Sequence, residues 1–224
     1  MDAARPAEWL TAAELLHYLG DIDPGRLRLR PAPGKATERD LLDIHRREGR
    51  LYELVDGVLV EKVMGFPESM LAAWIIMLLA EYFRQHNIGC VAGADGAIRL
   101  MAGLVRIPDV SFISWDRLPG REAPNAPILG LAPDLAVEVL SPSNTKREMD
   151  LKVREYFLAG VRLVWLVDPR KRAVRVYTAP DQSVRLTEGQ ALDGGDVLPG
   201  LRLPLREVFA RTPKARLRKR RKKE

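Results

Sequence analysis

The 224-residue sequence has a single cysteine, Cys90, and no long uninterrupted run of apolar residues. One cysteine excludes a disulfide framework and a cysteine-rich zinc site, and it is typical of a protein in a reducing cytoplasm. The longest apolar run, residues 70–80, is shorter than the ~20 residues that cross a membrane. Residues 1–6 lack the basic-then-apolar pattern of a secretion signal. We therefore expect a cytoplasmic protein that does not enter a membrane.

Two sequence motifs of other enzyme classes are also missing. The chain has neither a glycine-rich loop that cradles phosphates nor the strained serine turn of hydrolases.

Its hydrophobic content of 46% is that of a globular protein, and its length suits one domain with a substantial core.

Two acidic residues lie inside runs that are otherwise typical of buried strands. Asp109 falls within residues 105–113 and Glu138 within residues 134–140, where apolar and β-branched residues dominate. Because an unpaired buried carboxylate is costly, each acid needs a cation or a hydrogen-bond donor. Two such acids on neighbouring strands suggest one shared cation. Hard oxygen ligands of this kind suit Mg²⁺, with Mn²⁺ as an alternative.

A helix is predicted after Glu138, over residues 148–159. Its apolar residues recur at helical spacing: Met149, Val153, Tyr156 and Phe157. Lys152 borders this apolar stripe, which places its ammonium within reach of the strand ends. The nearly all-apolar run that follows, residues 163–167, is typical of a central strand. Residues 105–167 thus predict strand, loop, strand, helix and strand.

The segment from about residue 51 to residue 209 resembles the Uma-two family, part of the restriction-endonuclease-like PD-(D/E)XK nuclease superfamily. The matching segments are residues 52–57, 106–110 and 133–142, Lys152 with Tyr156, and residues 159–161 and 165–169. The resemblance implies an α/β fold with a mixed central sheet flanked by helices. It also implies that Asp109 and Glu138 bind the metal, to which we add the carbonyl of Val139, and that the protein is a homodimer.

The sequence departs from the superfamily pattern at Leu140, where a lysine usually stands two residues after the glutamate. The resemblance implies that Lys152 has taken over the role of that lysine. It also suggests an auxiliary acid in the first core helix, predicted over residues 67–86, where Glu68 lies in the first turn. An acid there equally complements the helix dipole without catalysis. Because this helix is apolar nearly all round, we expect it to be buried.

We divide the chain into a helical extension (residues 1–50), a nuclease domain (residues 51–210) and a basic tail (residues 211–224). The nuclease domain opens with a β-hairpin around an Asp-Gly turn. Glu53 and Glu61 alternate with apolar residues of this hairpin, and we interpret them as a solvated strand face.

The tail has nine basic residues and one acid, a net charge of +8, although the whole chain carries only +6. The remaining residues therefore sum to −2. We predict that the tail is disordered and adds sequence-independent affinity for nucleic acid, with a solubilising terminus as the alternative.

The function predicted from these residues is Mg²⁺-dependent hydrolysis of DNA phosphodiester bonds. Asp109 and Glu138 would hold the metal, which activates water, while Lys152 positions the nucleophile or neutralises the transition state. One alternative is a degenerate nuclease fold that binds DNA or a protein without cutting. A hydrolase of small phosphoesters is a further alternative.

Overall fold

A computed structural model of the chain describes residue 9 and residues 11–212. The predicted basic tail lies outside the described residues, apart from its first two. The helices are α1 (Ala12–Tyr18), α2 (Glu38–Glu48), α3 (Phe66–Gln85), α4 (Lys146–Leu158) and α5 (Leu205–Val208). The strands are β1 (Leu27–Arg28), β2 (Tyr52–Val55), β3 (Val58–Glu61), β4 (Gly89–Ala92), β5 (Ile98–Met101), β6 (Leu104–Arg106), β7 (Val110–Ser114), β8 (Leu135–Val139), β9 (Leu163–Asp168), β10 (Ala173–Ala179), β11 (Gln182–Thr187), β12 (Ala191–Asp193) and β13 (Arg202–Pro204).

The strands form two large sheets and one small one. The larger sheet has the order β11-β10-β9-β8-β7-β4, and it is mixed because β8 and β9 are parallel while the other pairs are antiparallel. Helix α4 connects the two parallel strands, as such a crossover requires. The second sheet, β1-β3-β2-β6-β5, contains the predicted hairpin β2–β3, and β12 pairs with β13. The predicted mixed α/β architecture is confirmed.

The predicted strand over residues 105–113 is wrong as one element. Strand β6 ends at Arg106 and β7 begins at Val110, so the chain passes from one large sheet to the other across residues 107–109. Pro108 explains the break, because proline has no N–H to donate within a sheet. Asp109 therefore lies in the link between the sheets rather than within a strand.

The two faces of the mixed sheet pack against different helices. Val137 and Val139 of β8 belong to the core that contains α3, whereas Ala136 belongs to the core that contains α4. Because side chains alternate along a strand, Glu138 shares the face of Ala136. Its carboxylate is therefore directed to the α4 side of the sheet.

Helix α3 is only partly covered, so the expectation of a fully buried helix is wrong. Leu71, Ile75 and Leu79 are buried, but Phe66 is 78% exposed and Met77 is 62% exposed. The whole helix has 20 residues and a mean hydropathy of 1.3 in its most apolar window. By length and composition alone this helix could cross a membrane. Its longest uninterrupted apolar run, residues 70–80, is too short to do so. One third of that window (33%) is buried within the protein.

Candidate metal and catalytic site

Asp109 is fixed to strand β8 through both its backbone and its side chain. Its N–H donates a 2.9 Å hydrogen bond to the Val137 carbonyl. Its carboxylate oxygen Oδ2 accepts a 2.6 Å hydrogen bond from the Val139 N–H. The residue is only 2% exposed. The link between the sheets thus holds the second carboxylate oxygen, Oδ1, next to the strand that carries Glu138.

The carboxylate of Glu138 is contacted from both sides. Oε1 accepts a 2.6 Å hydrogen bond from the Tyr156 hydroxyl and lies 3.3 Å from Nζ of Lys152. Oε2 lies 3.6 Å from Nζ of Lys62. Tyr156 and Lys152 lie one turn apart on α4, so the buried face of that helix supplies both partners of Oε1.

Lys62 joins the two predicted metal ligands, and it was not predicted from the sequence. Its Nζ lies 2.6 Å from Oδ1 of Asp109, and it also donates to the backbone carbonyl of Ile107. Three oxygens, from Asp109, Glu138 and Ile107, therefore surround one ammonium group. A signal was present in the sequence, because Lys62 continues the inward-facing positions Val58 and Val60 of β3.

A second set of buried charges adjoins the first. Nζ of Lys152 lies 2.8 Å from Oε1 of Glu53, and Oε2 of Glu53 accepts a 2.8 Å hydrogen bond from Arg106. Arg106 also donates to Glu155 of α4 at 2.8 Å. The interpretation of Glu53 as a solvated residue is wrong, since its exposure is 0%.

The error has a physical reason. The sheet that contains β2 is covered on both faces, with Val55 in the core shared with α4 and Leu54 in a separate core. Glu53 lies on the face of Val55, whereas Glu61 lies on the other and is only partly covered. Alternation alone could not distinguish a solvated face from a second buried one.

Opposing effects set the pKa values around Lys152. Burial alone would raise the pKa of Glu53, but the charges of Lys152 and Arg106 outweigh it and hold that pKa well below the usual range. Burial alone would lower the pKa of Lys152, but Glu138 and Glu53 outweigh it and raise that pKa. Glu53 is thus held as a carboxylate and Lys152 as an ammonium.

Burial and neighbouring charges also oppose each other in setting the pKa values of Asp109 and Lys62. Burial, with a further contribution from Glu138, raises the pKa of Asp109 although Lys62 opposes the shift. Burial would lower the pKa of Lys62, but Glu138 and Asp109 raise it overall. One ammonium charge thus faces two buried carboxylates.

Glu68 lies apart from these contacts. It is 8% exposed at the start of α3, and among the described residues no hydrogen bond or ion pair links it to Asp109 or Glu138. Its role as an auxiliary ligand stays a prediction. The same holds for the Val139 carbonyl, because the Val139 contact that the structure gives is made by its N–H.

Comparison with known proteins identifies the family. The family model Uma2, described as "Putative restriction endonuclease", matches residues 39–206. The chain belongs to the Uma2 (Uma-two) family. The match spans both large sheets except for β1, and it includes Asp109, Glu138 and Lys152. The family resemblance noted from the sequence is thereby confirmed.

A solved structure supports the fold of this Uma2 protein. It is the crystal structure of "a putative nuclease belonging to DUF820 from Anabaena variabilis ATCC 29413". The two structures agree with a TM-score of 0.63 at 20% sequence identity, covering 71% of this chain and 90% of the other. At that identity the likeness shows a shared fold alone. No curated protein matches the sequence significantly.

The oxygens around Lys62 in this Uma2 protein suit a hard divalent cation. Two carboxylates and one carbonyl converge on a single position, which the Lys62 ammonium occupies. Among the described residues, no group of three or more His, Cys, Asp or Glu side chains could hold a metal. Mg²⁺ commonly binds one or two carboxylates and completes its shell with water and substrate phosphate, so the donor set fits.

A basic groove is lined by Leu140, two residues after Glu138, but by none of Asp109, Glu138, Lys62 and Lys152. It has a volume of about 630 Å³ and lies between the start of α4 and strands β9 to β11. Its lining includes five basic residues and two acids, namely Lys146, Arg170, Lys171, Arg175, Arg185, Asp150 and Asp168. Arg175 and Arg185 stand directly opposite each other on β10 and β11. Like charges so placed repel, and an anion between them would relieve the repulsion.

Proposed function

We propose that this Uma2 protein is a divalent-metal-dependent endonuclease that hydrolyses phosphodiester bonds in DNA. The observation that carries the proposal is the convergence of Asp109 and Glu138 on one cation position, with Lys152 on the opposite oxygen of Glu138. Membership of a family described as restriction endonucleases supports the same reaction class.

Each acid has one oxygen fixed by a donor and directs the other to the position that the Lys62 ammonium occupies. The Val139 N–H holds Oδ2 of Asp109, and the Tyr156 hydroxyl holds Oε1 of Glu138. Oδ1 and Oε2 then face the shared position, together with the Ile107 carbonyl. Mg²⁺ or Mn²⁺ would be held by these oxygens. A metal ion bound there would lower the pKa of a water molecule and neutralise negative charge on the phosphate.

Lys152 contributes a fixed positive charge beside that position. Its side chain is buried, and its ammonium also lies 2.8 Å from Glu53. In the proposed reaction its ammonium neutralises charge that develops on the phosphate. Because the stem comes from α4, a lysine at the position of Leu140 is not required.

The basic groove supports a nucleic acid as the substrate. Lys146 and Lys171 are paired with acids of the groove, but Arg170, Arg175 and Arg185 leave it with a net positive charge. Such a surface suits the phosphates of a nucleic-acid backbone, which are contacted without sequence readout. We propose double-stranded DNA as the substrate, and cleavage of RNA is an outcome that the experiment below separates.

A second candidate function is binding without cleavage. The presence of Lys62 at the shared cation position favours it, since an ammonium already pairs with the two acids there. A DNA- or protein-binding module of this kind would need no metal. Hydrolysis of small phosphoesters has no comparable support, because the basic groove has a volume of about 630 Å³ and suits a longer anion.

The experiment is incubation of the purified protein with supercoiled plasmid, linear DNA and RNA in the presence of Mg²⁺, Mn²⁺ or a chelator. Metal-dependent nicking of the plasmid supports the endonuclease. Retarded DNA that stays intact under every condition supports the binding module.

The homodimer and the cytoplasmic location are also proposals. Measurement of the molecular mass of the protein by light scattering tests the homodimer.

A further inference from the structure

The Lys62 ammonium and a divalent cation would require the same oxygens. Nζ lies 2.6 Å from Asp109 and 3.6 Å from Glu138, and it donates to the Ile107 carbonyl. Mg²⁺ binds oxygens at about 2.0–2.1 Å, so a metal held by the same three groups would overlap with Nζ. Metal binding at this position therefore requires that Lys62 leaves it.

The charges favour that replacement. The buried charges around this position are unequal in number, since four carboxylates face three cations, namely Asp109, Glu138, Glu53, Glu155, Lys62, Lys152 and Arg106. A divalent cation in place of the Lys62 ammonium removes that excess of one negative charge. Lys62, Asp109 and Glu138 are all shielded from water, with 7%, 3% and 6% of their side chains exposed, so the excess charge is poorly compensated by solvent. A divalent cation thus has an electrostatic advantage over the lysine.

Lys62 stands at the end of a strand, next to a segment without regular structure. It is the first residue after β3, and its N–H bonds to the Leu51 carbonyl at 2.9 Å, while residues 62–65 have no regular structure before α3 begins. Its stem is an unbranched chain with several rotatable bonds. Lys152, in contrast, lies within a helix and is held by Glu53. Displacement can therefore occur at Lys62 without disturbing the second cation.

We propose that Lys62 exchanges partners during the reaction cycle: it occupies the carboxylate pair without metal and contacts a phosphate oxygen of the substrate once metal is bound. The displaced ammonium remains tethered beside the metal, where a phosphate is the nearest new anion. This inference rests on the metal site of the proposed function. It makes Lys62 a second phosphate-binding lysine and the competitor that sets the metal affinity.

The test compares Mn²⁺ affinity and cleavage in the parental protein, Lys62→Met and Lys62→Gln. Methionine keeps the length and apolar stem without the charge, and glutamine provides a second variant should the methionine variant fold poorly. Lys35→Met is the matched control, since Lys35 is exposed. By titration calorimetry we expect Mn²⁺ to bind the Lys62 variants about tenfold more tightly or better, because a charged competitor has been removed. At saturating Mn²⁺ we expect them to cleave plasmid at least about tenfold more slowly.

The outcomes separate this inference from the proposed function. If the parental protein binds Mn²⁺ and the Lys62 variants bind it no more tightly, the exchange is overturned while the metal site stands. Tighter binding with cleavage at the parental rate would also overturn it, because the phosphate contact would be absent. Binding only by the Lys62 variants would support the competition directly. Absence of Mn²⁺ binding from all forms would overturn the metal site of the proposed function itself.

Discussion

The Lys152 ammonium lies 2.8 Å from Glu53, closer than the 3.3 Å that separates it from Glu138. Lys152 and Glu53 are 99 residues apart in the sequence, and both are almost completely buried. Glu53 also accepts hydrogen bonds from Arg106 and from the Ile107 N–H. The hairpin thus positions the lysine that the proposed reaction needs, although it supplies none of the predicted metal ligands.

Removal of Glu53 is expected to destabilise the fold. Glu53→Ala leaves Lys152 without its closer partner and takes one carboxylate from Arg106, and breaking a buried pair in this way costs about 3–5 kcal/mol. The matched control is Glu61→Ala on the next strand, whose partner Arg50 is 50% exposed. An exposed pair contributes about 0–1 kcal/mol. Urea unfolding measures both, and equal losses would contradict the structural role of Glu53.

Substitution of Lys152 is expected to slow cleavage without preventing metal binding. Lys152→Ala should lower the rate by about 10²-fold or more, the scale of a lost transition-state charge or donor. Lys152→Arg should recover little, because a planar guanidinium does not replace a compact ammonium. Arg154→Ala, exposed on the same helix, is the control. Single-turnover cleavage and Mn²⁺ calorimetry give the two readouts, and parental rates for Lys152→Ala would reduce that residue to a structural ion pair.

A variant that returns the lysine to the strand tests the same role from the other side. Leu140→Lys, added to Lys152→Ala, is expected to restore part of the lost rate, since the new ammonium follows Glu138 by two residues. Restoration should depend on metal to the same extent as in the parental protein. No gain over Lys152→Ala alone would count against the idea that the cation has migrated from the strand to the helix.

Local pattern was enough to single out Asp109, Glu138 and Lys152 as candidates, because acids within apolar runs and a lysine beside an apolar stripe are visible over a few residues. Their catalytic roles stay predictions. Local pattern was not enough for Glu53 and Lys62. Their environment is created by a second sheet that packs its inner face towards α4, and nothing in the hairpin itself specifies that cover.

The break at Pro108 likewise decides the geometry of Asp109. A proline inside an apolar run is visible in the sequence, but the transfer of the chain to another sheet depends on pairing partners that lie far away. Strand β6 pairs with β2 and β5, whereas β7 pairs with β4 and β8. The position of the acid relative to Glu138 therefore came only from the structure.

The stability of the protein should fall in acid partly through Glu148. Its carboxylate lies 2.8 Å from Arg26, and both side chains are buried. Burial alone would raise the pKa of Glu148, but the Arg26 hydrogen bond and the charge of Lys152 lower it below the ordinary 4.5. Because the folded-state pKa is the lower one, this contribution is present above the unfolded pKa of 4.5 and is lost as the pH falls below it.

Glu148→Gln isolates that contribution. At neutral pH the variant should be about 1.5–3 kcal/mol less stable than the parental protein, the range for a hydrogen bond to a charged group. The difference should shrink as the pH falls below 4.5. Urea titrations of both proteins across this range provide the measurement, and a difference that does not change with pH would rule out the linkage.

Charge reversal in the basic groove should weaken DNA binding. Arg175→Glu with Arg185→Glu removes two facing cations, so fewer counterions are released when DNA binds. The slope of log K against log salt concentration should become less steep by about one for each phosphate that the groove no longer binds. Arg202→Glu with Arg206→Glu, both exposed and outside the groove, is the control with the same change in net charge. Fluorescence anisotropy at several salt concentrations gives the slopes. Equal slopes for the groove and control variants would exclude the groove as the DNA path.

The most direct test is cleavage of supercoiled plasmid by Asp109→Asn and Glu138→Gln, with Asp116→Asn as an exposed control. The assay uses Mg²⁺ or Mn²⁺ at protein concentrations where each variant still binds the plasmid. We predict that both site variants leave the plasmid intact, at the level of the chelator control, while Asp116→Asn nicks it at the parental rate. Cleavage at the parental rate by both Asp109→Asn and Glu138→Gln would contradict the assignment of this site.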